Sequence, residues 1–141
     1  MKNQLIKIFL GFNLIFLVGC GITMEPQPTP EESIAGKQII GTPKQIENLE
    51  VAEFDFPEKM SWRDAKRKCE ILGNGWSLPN KDELNILYQN KDDIGGFDGE
   101  SYWSSSVLFK NSVYFQNFID GNQDYNDKSE EHTVRAVRSI K

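Results

Sequence analysis

Histidine and cysteine are nearly absent from this chain: His132 is the single histidine, and Cys20 and Cys69 are the two cysteines. A zinc centre built from imidazole and thiolate donors therefore lacks its ligands. Nucleophilic catalysis is poorly served as well. The run Ser104-Ser105-Ser106 offers hydroxyls, but a serine nucleophile needs a base that a third group orients, and His132 stands beside Glu130 and Glu131 at the entrance of an expected strand. Long apolar runs are also missing, since the main one, residues 8–18, is too short to cross a bilayer as a stable helix. Positive charge is in deficit, with 16 Lys and Arg against 21 Asp and Glu. Nucleic acid is excluded as a partner on that balance, and general attachment to anionic lipid is disfavoured.

What is present begins at the N-terminus. Lys2 and Lys7 precede the apolar stretch, which runs into Leu17-Val18-Gly19-Cys20. This segment resembles the lipobox of bacterial lipoproteins. The resemblance implies a signal peptide over residues 1–19, acylation of Cys20, and a mature protein tethered to the membrane through that residue. A short uncleaved anchor and an ordinary secretory signal are the plainer alternatives. Gly21 in place of an aspartate after the cysteine argues against retention in an inner membrane, so the expected location is the cell envelope, at the outer membrane where the cell has one. Removing the signal takes away Lys2 and Lys7 and leaves 14 basic against 21 acidic residues, a formal net charge of −7. With the sulfur of Cys20 consumed by lipid, Cys69 has no partner for a disulfide, and the exported domain must be held by its core.

Residues 20–48 carry Pro26, Pro28, Pro30 and Pro43 among Glu, Thr, Gln and Gly, with no sustained apolar period. They read as an acylated tether, extending at roughly 3.1 Å per residue. Ile39-Ile40 is the one apolar patch in it, and the alternative for that patch is a first edge strand. Residues 49–141 then form one small domain. Residues 49–56 are strand-like and are closed by Pro57. A helix follows, opened by Ser61 and Asp64 in a capping-box arrangement, with Trp62, Ala65, Cys69 and Leu72 on one face and ended by Gly73 and Gly75. Asn80 caps a second helix with Glu83 three residues on, and Leu84, Leu87 and Tyr88 form its buried stripe, which stops before Gly95-Gly96. Beyond Gly99 the texture turns to strands at residues 101–108, 112–119 and 133–140. Helices before strands, rather than alternating with them, predict an α+β domain.

At this point several motifs combine. Trp62, Ala65, Cys69 and Leu72, then Gly75-Trp76-Ser77-Leu78-Pro79, Glu83-Leu84, Ile94-Gly95-Gly96-Phe97, Tyr102-Trp103-Ser104-Ser105-Ser106, Gly121 and Val134-Arg135-Ala136-Val137-Arg138 resemble the C-terminal domain of the Legionella collagen-like adhesin, a family once classed as a domain of unknown function. The resemblance covers the chain from Leu49 onward. It implies a C-type-lectin-like fold, two helices packed on a small antiparallel sheet, and binding rather than catalysis. Two departures stand out. Ser77 occupies a place where many members have arginine, and Ala136 one where others have a cysteine, so a bond from Cys69 to the last strand cannot form. The adhesin is associated with sulfated polysaccharides, a ligand that a net charge of −7 disfavours here. Formylglycine-generating enzymes share a related fold, but their chemistry needs reactive cysteines that this domain lacks.

Two candidate sites follow from composition. Asp120, Asn122, Asp124 and Glu131 fall at positions one, three, five and twelve of a calcium-loop spacing, with Tyr125 standing where the sharp turn requires glycine; a solvated acidic loop is the plainer reading, and no cofactor beyond Ca²⁺ is suggested. Residues 111–127 interleave Tyr114, Phe115, Phe118 and Tyr125 with small amides, a mixture suited to recognition. If Phe115 faces the core, alternation turns Tyr114 and Gln116 outward, with Asn122 and Tyr125 beside them as ligand-binding candidates. The leading expectation is an envelope-anchored lipoprotein acting as an adhesion module for a glycan or protein. A structural envelope lipoprotein without a soluble ligand, marked by an apolar face at Phe54, Phe56 or Phe97, is the alternative, and an enzyme is the remote third.

Overall fold

Helix-capping chemistry sets the first element. The computed structural model describes residues 27–98 and 100–141, so the expected signal segment and the expected lipidation site at Cys20 lie outside the described residues. Helix α1 spans Pro30–Ile40. The Thr29 hydroxyl accepts the Glu32 backbone N–H at 3.2 Å, the Glu32 carboxylate accepts that of Thr29 at 3.0 Å, and Pro30 supplies a preset φ at the first helical position. The expectation of an extended tether to residue 48 is therefore corrected from Thr29 onward. Ile39 and Ile40 close this helix rather than forming an edge strand, and both pack against the core. A buried glycine permits the approach: a Cβ on Gly36 would sit 3.0 Å from Leu72 Cδ2.

Strands β1 (Lys44–Ile46) and β2 (Leu49–Val51) form a hairpin that lies within the stretch expected as tether and first strand. The short strand β3 (Met60–Ser61) leads into α2 (Trp62–Ile71), whose N-cap Ser61 accepts the Asp64 N–H. Ala65 and Cys69 are buried on its inner face while Arg63, Lys66 and Arg67 face out, as the apolar period predicts. Helix α3 (Lys81–Gln89) carries a full capping box, with Asn80 Oδ1 accepting the N–H of Asp82 and Glu83 and the Glu83 carboxylate accepting that of Asn80. The four-residue α4 (Lys91–Ile94) ends at Gly95.

The C-terminal half holds β4 (Ser101–Phe109), β5 (Ser112–Asn117), β6 (Gln123–Asp127), β7 (Glu131–His132) and β8 (Val137–Ser139). Among the described residues the strands form three antiparallel sheets, ordered β1-β2-β8, β3-β7 and β4-β5-β6. The expected last strand at 133–140 is thus only three residues long, and an unexpected strand, β6, replaces the acidic loop. Pairing of β2 with β8 brings the two ends of the domain together. The serine run is a bulge in β4: its register slips between Trp103 and Val107, Ser105 N–H donates to Pro79 C=O at 2.7 Å, and Ser106 Oγ accepts the Lys81 N–H at 3.0 Å.

Two core clusters lie on either side of β4 and β5. One gathers Ala65, Cys69, Trp76, Trp103, Val113 and Ala136, the other Leu84, Leu87, Tyr102, Phe118, Leu49 and Val137. Each fully buried Val, Leu or Phe side chain contributes roughly 1.5–3 kcal/mol. Among the described residues both clusters draw on positions from Ile39 to Val137, so the unit from Gln27 to Lys141 carries a core of its own, as a separately folding domain requires. Cys69 and Ala136 share a cluster. No helix among the described residues is long and apolar enough to cross a membrane.

Candidate binding surface

Antiparallel pairing decides which candidate residues meet. Tyr114 lies opposite Tyr125, and Gln116 opposite Gln123, so all four side chains share the face of β5 and β6 on which α3 packs. Helix α3 covers only part of that face. Gln116 is beneath it and fully buried, donating through Nε2 to Asn85 Oδ1 and Gly121 C=O, both at 3.0 Å, and accepting from Gln123 at 3.2 Å. The expectation that Gln116 faces solvent is corrected: alternation holds, but the helix closes over its face. Tyr114 is half-buried with the Lys81 ammonium 5.0 Å from its ring centroid, and Tyr125 is 56% exposed. Gln123 reaches across to donate to Lys81 C=O at 2.6 Å. The structure therefore sets a half-buried Tyr114 opposite an exposed Tyr125 on one face, with an amide and a lysine at the rim.

Asn122 lies away from this pair. Its backbone and side-chain N–H groups both donate to the Asp120 carboxylate, at 3.0 and 2.8 Å, which closes a turn on itself. The calcium spacing does not become a cage. Asp124 lies on extended β6 and Glu131 on β7 in a different sheet. Among the described residues no group of three or more His, Cys, Asp or Glu side chains is placed to hold a metal ion.

The remaining chemistry-bearing residues are built into the core. Cys69 is buried, and desolvation pushes its thiol well above the ordinary range. His132 is half-buried between the rings of Trp103 and Phe115, at centroid distances of 4.3 and 4.6 Å; desolvation, with help from the Lys59 charge, lowers its pKa. Ser104 Oγ accepts the Ser106 N–H and is buried. Of the three phenylalanines that would mark an assembly face, Phe56 is buried, Phe97 is packed against the core, and Phe54 alone is exposed.

A feature with no local sequence signal is the buried Arg135. Its guanidinium donates to Asp55 Oδ1 and to the carbonyls of Ala52, Glu53, Gly95 and Gly96, and it lies 4.2 Å from the Phe97 ring centroid. Tyr102 Oη donates to the other Asp55 oxygen at 2.7 Å. Burial raises the Asp55 pKa, an effect that Arg135 and Tyr102 partly offset. This hub ties the β2 end, the Gly95-Gly96 loop and β4 together, which positions the sheet for the surface above.

Two further properties define that surface. The outer edge of β6 is closed by its own side chains: Asp124 Oδ1 accepts the Tyr125 N–H at 2.8 Å and Asn126 Oδ1 that of Asp127 at 3.0 Å. The β4–β5 turn carries Val107, Leu108 and Phe109, exposed by 49, 44 and 75%. It lies near Trp62, the first residue of α2, because Lys128 contacts both the Trp62 ring and Lys110 C=O. Helix α1, in contrast, packs beside Lys68, Ile71 and Leu72 at the other end of α2.

No curated protein matches the chain. A family model described as the Lcl C-terminal domain matches residues 43–138. Among solved structures, botrocetin is similar with a TM-score of 0.55 at 12% identity, over 71% of this chain and 98% of that chain. A complex of botrocetin with a mutant A1 domain of von Willebrand factor is similar with a TM-score of 0.50, at the same identity and coverage. At such identity the likeness speaks to the fold, which is C-type-lectin-like.

Proposed function

The chain belongs to the Lcl C-terminal domain family, and on that premise we propose that it is a non-catalytic recognition module, held at the bacterial envelope by lipid on Cys20, whose ligand is a protein surface. The observation that carries this reading is exposed Tyr125 opposite half-buried Tyr114, set in a rim of Gln123 and Lys81 on the sheet. Tyrosines give large contact area at low entropic cost, and amides at the rim adapt their hydrogen bonds. A neighbour in fold, botrocetin, is seen in complex with a protein domain, which supports a protein ligand over a glycan. The closed edge of β6 turns recognition onto the face of the sheet and away from strand addition.

The test is an array of envelope and host-surface proteins and glycans, probed with residues 27–141 with calcium and with chelator. Saturable binding to a protein, abolished by Tyr125→Ala and by Tyr114→Ala at unchanged melting temperature, is the expected result. Binding that persists in both variants would sink the surface assignment. Binding confined to glycans would move the ligand class, and loss in chelator would restore a metal to the site.

A further inference from the structure

Strands normally turn apolar residues inward at every second position, yet three consecutive apolar residues, Val107, Leu108 and Phe109, stand exposed where β4 turns into β5. Single exposed apolar side chains are ordinary, whereas a contiguous projecting set marks an interaction site. Two lysines stand at this tip. Lys110 follows Phe109 directly, and Lys128 from the β6–β7 turn is anchored next to it, its Nζ donating to Lys110 C=O at 3.0 Å and lying 4.7 Å from the Trp62 ring centroid. Lys66 lies 5.7 Å from the same ring, with Glu70 at 4.0 Å as its counter-ion. Asp127 and Glu130 flank Lys128 in its turn, and Asp127 directs Oδ1 to the N–H and hydroxyl of Ser129 at 2.9 and 2.7 Å, while among the described residues neither Lys110 nor Lys128 is in an ion pair.

We propose that this hairpin tip docks on an anionic lipid bilayer, with Leu108 and Phe109 entering the acyl boundary and Lys110 and Lys128 facing headgroup phosphates. A fluid bilayer accepts a projecting apolar tip without a complementary pocket, and apolar side chains backed by lysines are the composition of interfacial elements. The net negative charge of the chain opposes general attachment to such a surface. Screening over about 8 Å at physiological salt restricts what the bilayer feels to the groups nearest it, and at the tip those include the two lysines. The site is separate from the Tyr114–Tyr125 pair and goes beyond the protein-recognition reading.

The experiment is co-sedimentation of residues 27–141 with phosphatidylglycerol vesicles and with phosphatidylcholine vesicles, at low and high salt. Partition onto phosphatidylglycerol alone is expected, weakened by salt and reduced about tenfold or more by Leu108→Asp or Phe109→Asp and by the pair Lys110→Glu and Lys128→Glu. Tyr125→Ala should leave vesicle binding unchanged, which separates this outcome from failure of the protein-ligand reading. Leu108, Phe109 and Lys110 are exposed, so their variants should keep the wild-type melting temperature; should an aspartate variant or the half-buried Lys128→Glu not fold, Phe109→Ser and Lys110→Glu supply the same comparison. No partition onto phosphatidylglycerol, equal partition onto both lipids, or binding indifferent to Phe109 would overturn the proposal. So would a concentration-dependent dimer that Phe109→Asp dissolves in the absence of vesicle binding, since the tip would then seat a second copy.

Discussion

Arg135 and Asp55, 80 residues apart in the chain, meet with 2.5 Å between Nε and Oδ1, and the arginine side chain has no exposure to solvent. Removing one partner of such a pair leaves the other charge buried without compensation. Asp55→Ala should therefore lower unfolding free energy by about 3–5 kcal/mol, read from urea denaturation. Arg135→Lys should also destabilise, because an ammonium cannot reach the four carbonyls that the guanidinium spans. Unchanged midpoints in both variants would show that the hub contributes nothing to the fold.

Gly121 sits at φ 80°, and a Cβ there would lie 2.4 Å from Cε1 of Tyr88. Gly121→Ala should cost about 1–3 kcal/mol from overlap and backbone strain together. Adding Tyr88→Ala should relieve the overlap alone, so the double variant is expected to cost less than the sum of the singles. Additive costs in a double-mutant cycle would rule out the clash.

His132 provides a pH signature. Its folded pKa is lowered, first by desolvation and then by Lys59, so the unfolded chain, titrating near 6.5, takes up the proton before the folded chain does. Stability is then complete above pH 6.5 and falls as pH drops from there through the lowered folded value. Melting temperatures across that range should show the loss, and His132→Gln should remove that part of it. A slope identical in the variant would assign the acid sensitivity to the carboxylates instead.

Burial makes Cys69 inert. The thiol has no solvent exposure and its pKa is raised by desolvation, so a thiol reagent should label residues 27–141 only after denaturant is added. Rapid labelling of the native domain would mean that α2 opens on the timescale of the reaction.

Gln116 and Tyr125 should separate stability from recognition. Gln116→Ala deprives Asn85 and the Gly121 carbonyl of their donor, for an expected loss of roughly 1–3 kcal/mol. Tyr125→Ala, at an exposed position, should stay within about 0.5 kcal/mol of wild type. Calorimetry on the two variants distinguishes them, and equal losses would place Tyr125 in the core.

Local signals were legible wherever a few neighbouring residues settle the outcome. Ser61 and Asp64 started α2, Asn80 and Glu83 started α3, and the spacing of Ala65 and Cys69 named the buried face of α2. Helix α1 was hidden by proline content, although Thr29, Pro30 and Glu32 contain its capping box; four prolines outweighed a three-residue signal. Tyr114 and Tyr125 were recognisable as a pair by composition, but their opposition depends on β6, which its run of Asn, Asp and Gln disguised as a loop. Gln116 was misplaced because alternation assigns a face without revealing that α3 covers it. Arg135 and Asp55 carried no local sign at all, since nothing near either residue names a partner in the other half of the chain.

The closed edge of β6 bears on how such domains live beside one another. Exposed strands with free backbone groups template the addition of identical strands, and the hazard grows with local concentration. Asp124 and Asn126 fold their own oxygens onto the N–H groups of Tyr125 and Asp127, so a neighbouring copy finds those donors already occupied. Strand addition by a second copy is thereby disfavoured at those two positions. The same acid and amide side chains that disguise the strand in the sequence are what occupy its edge donors.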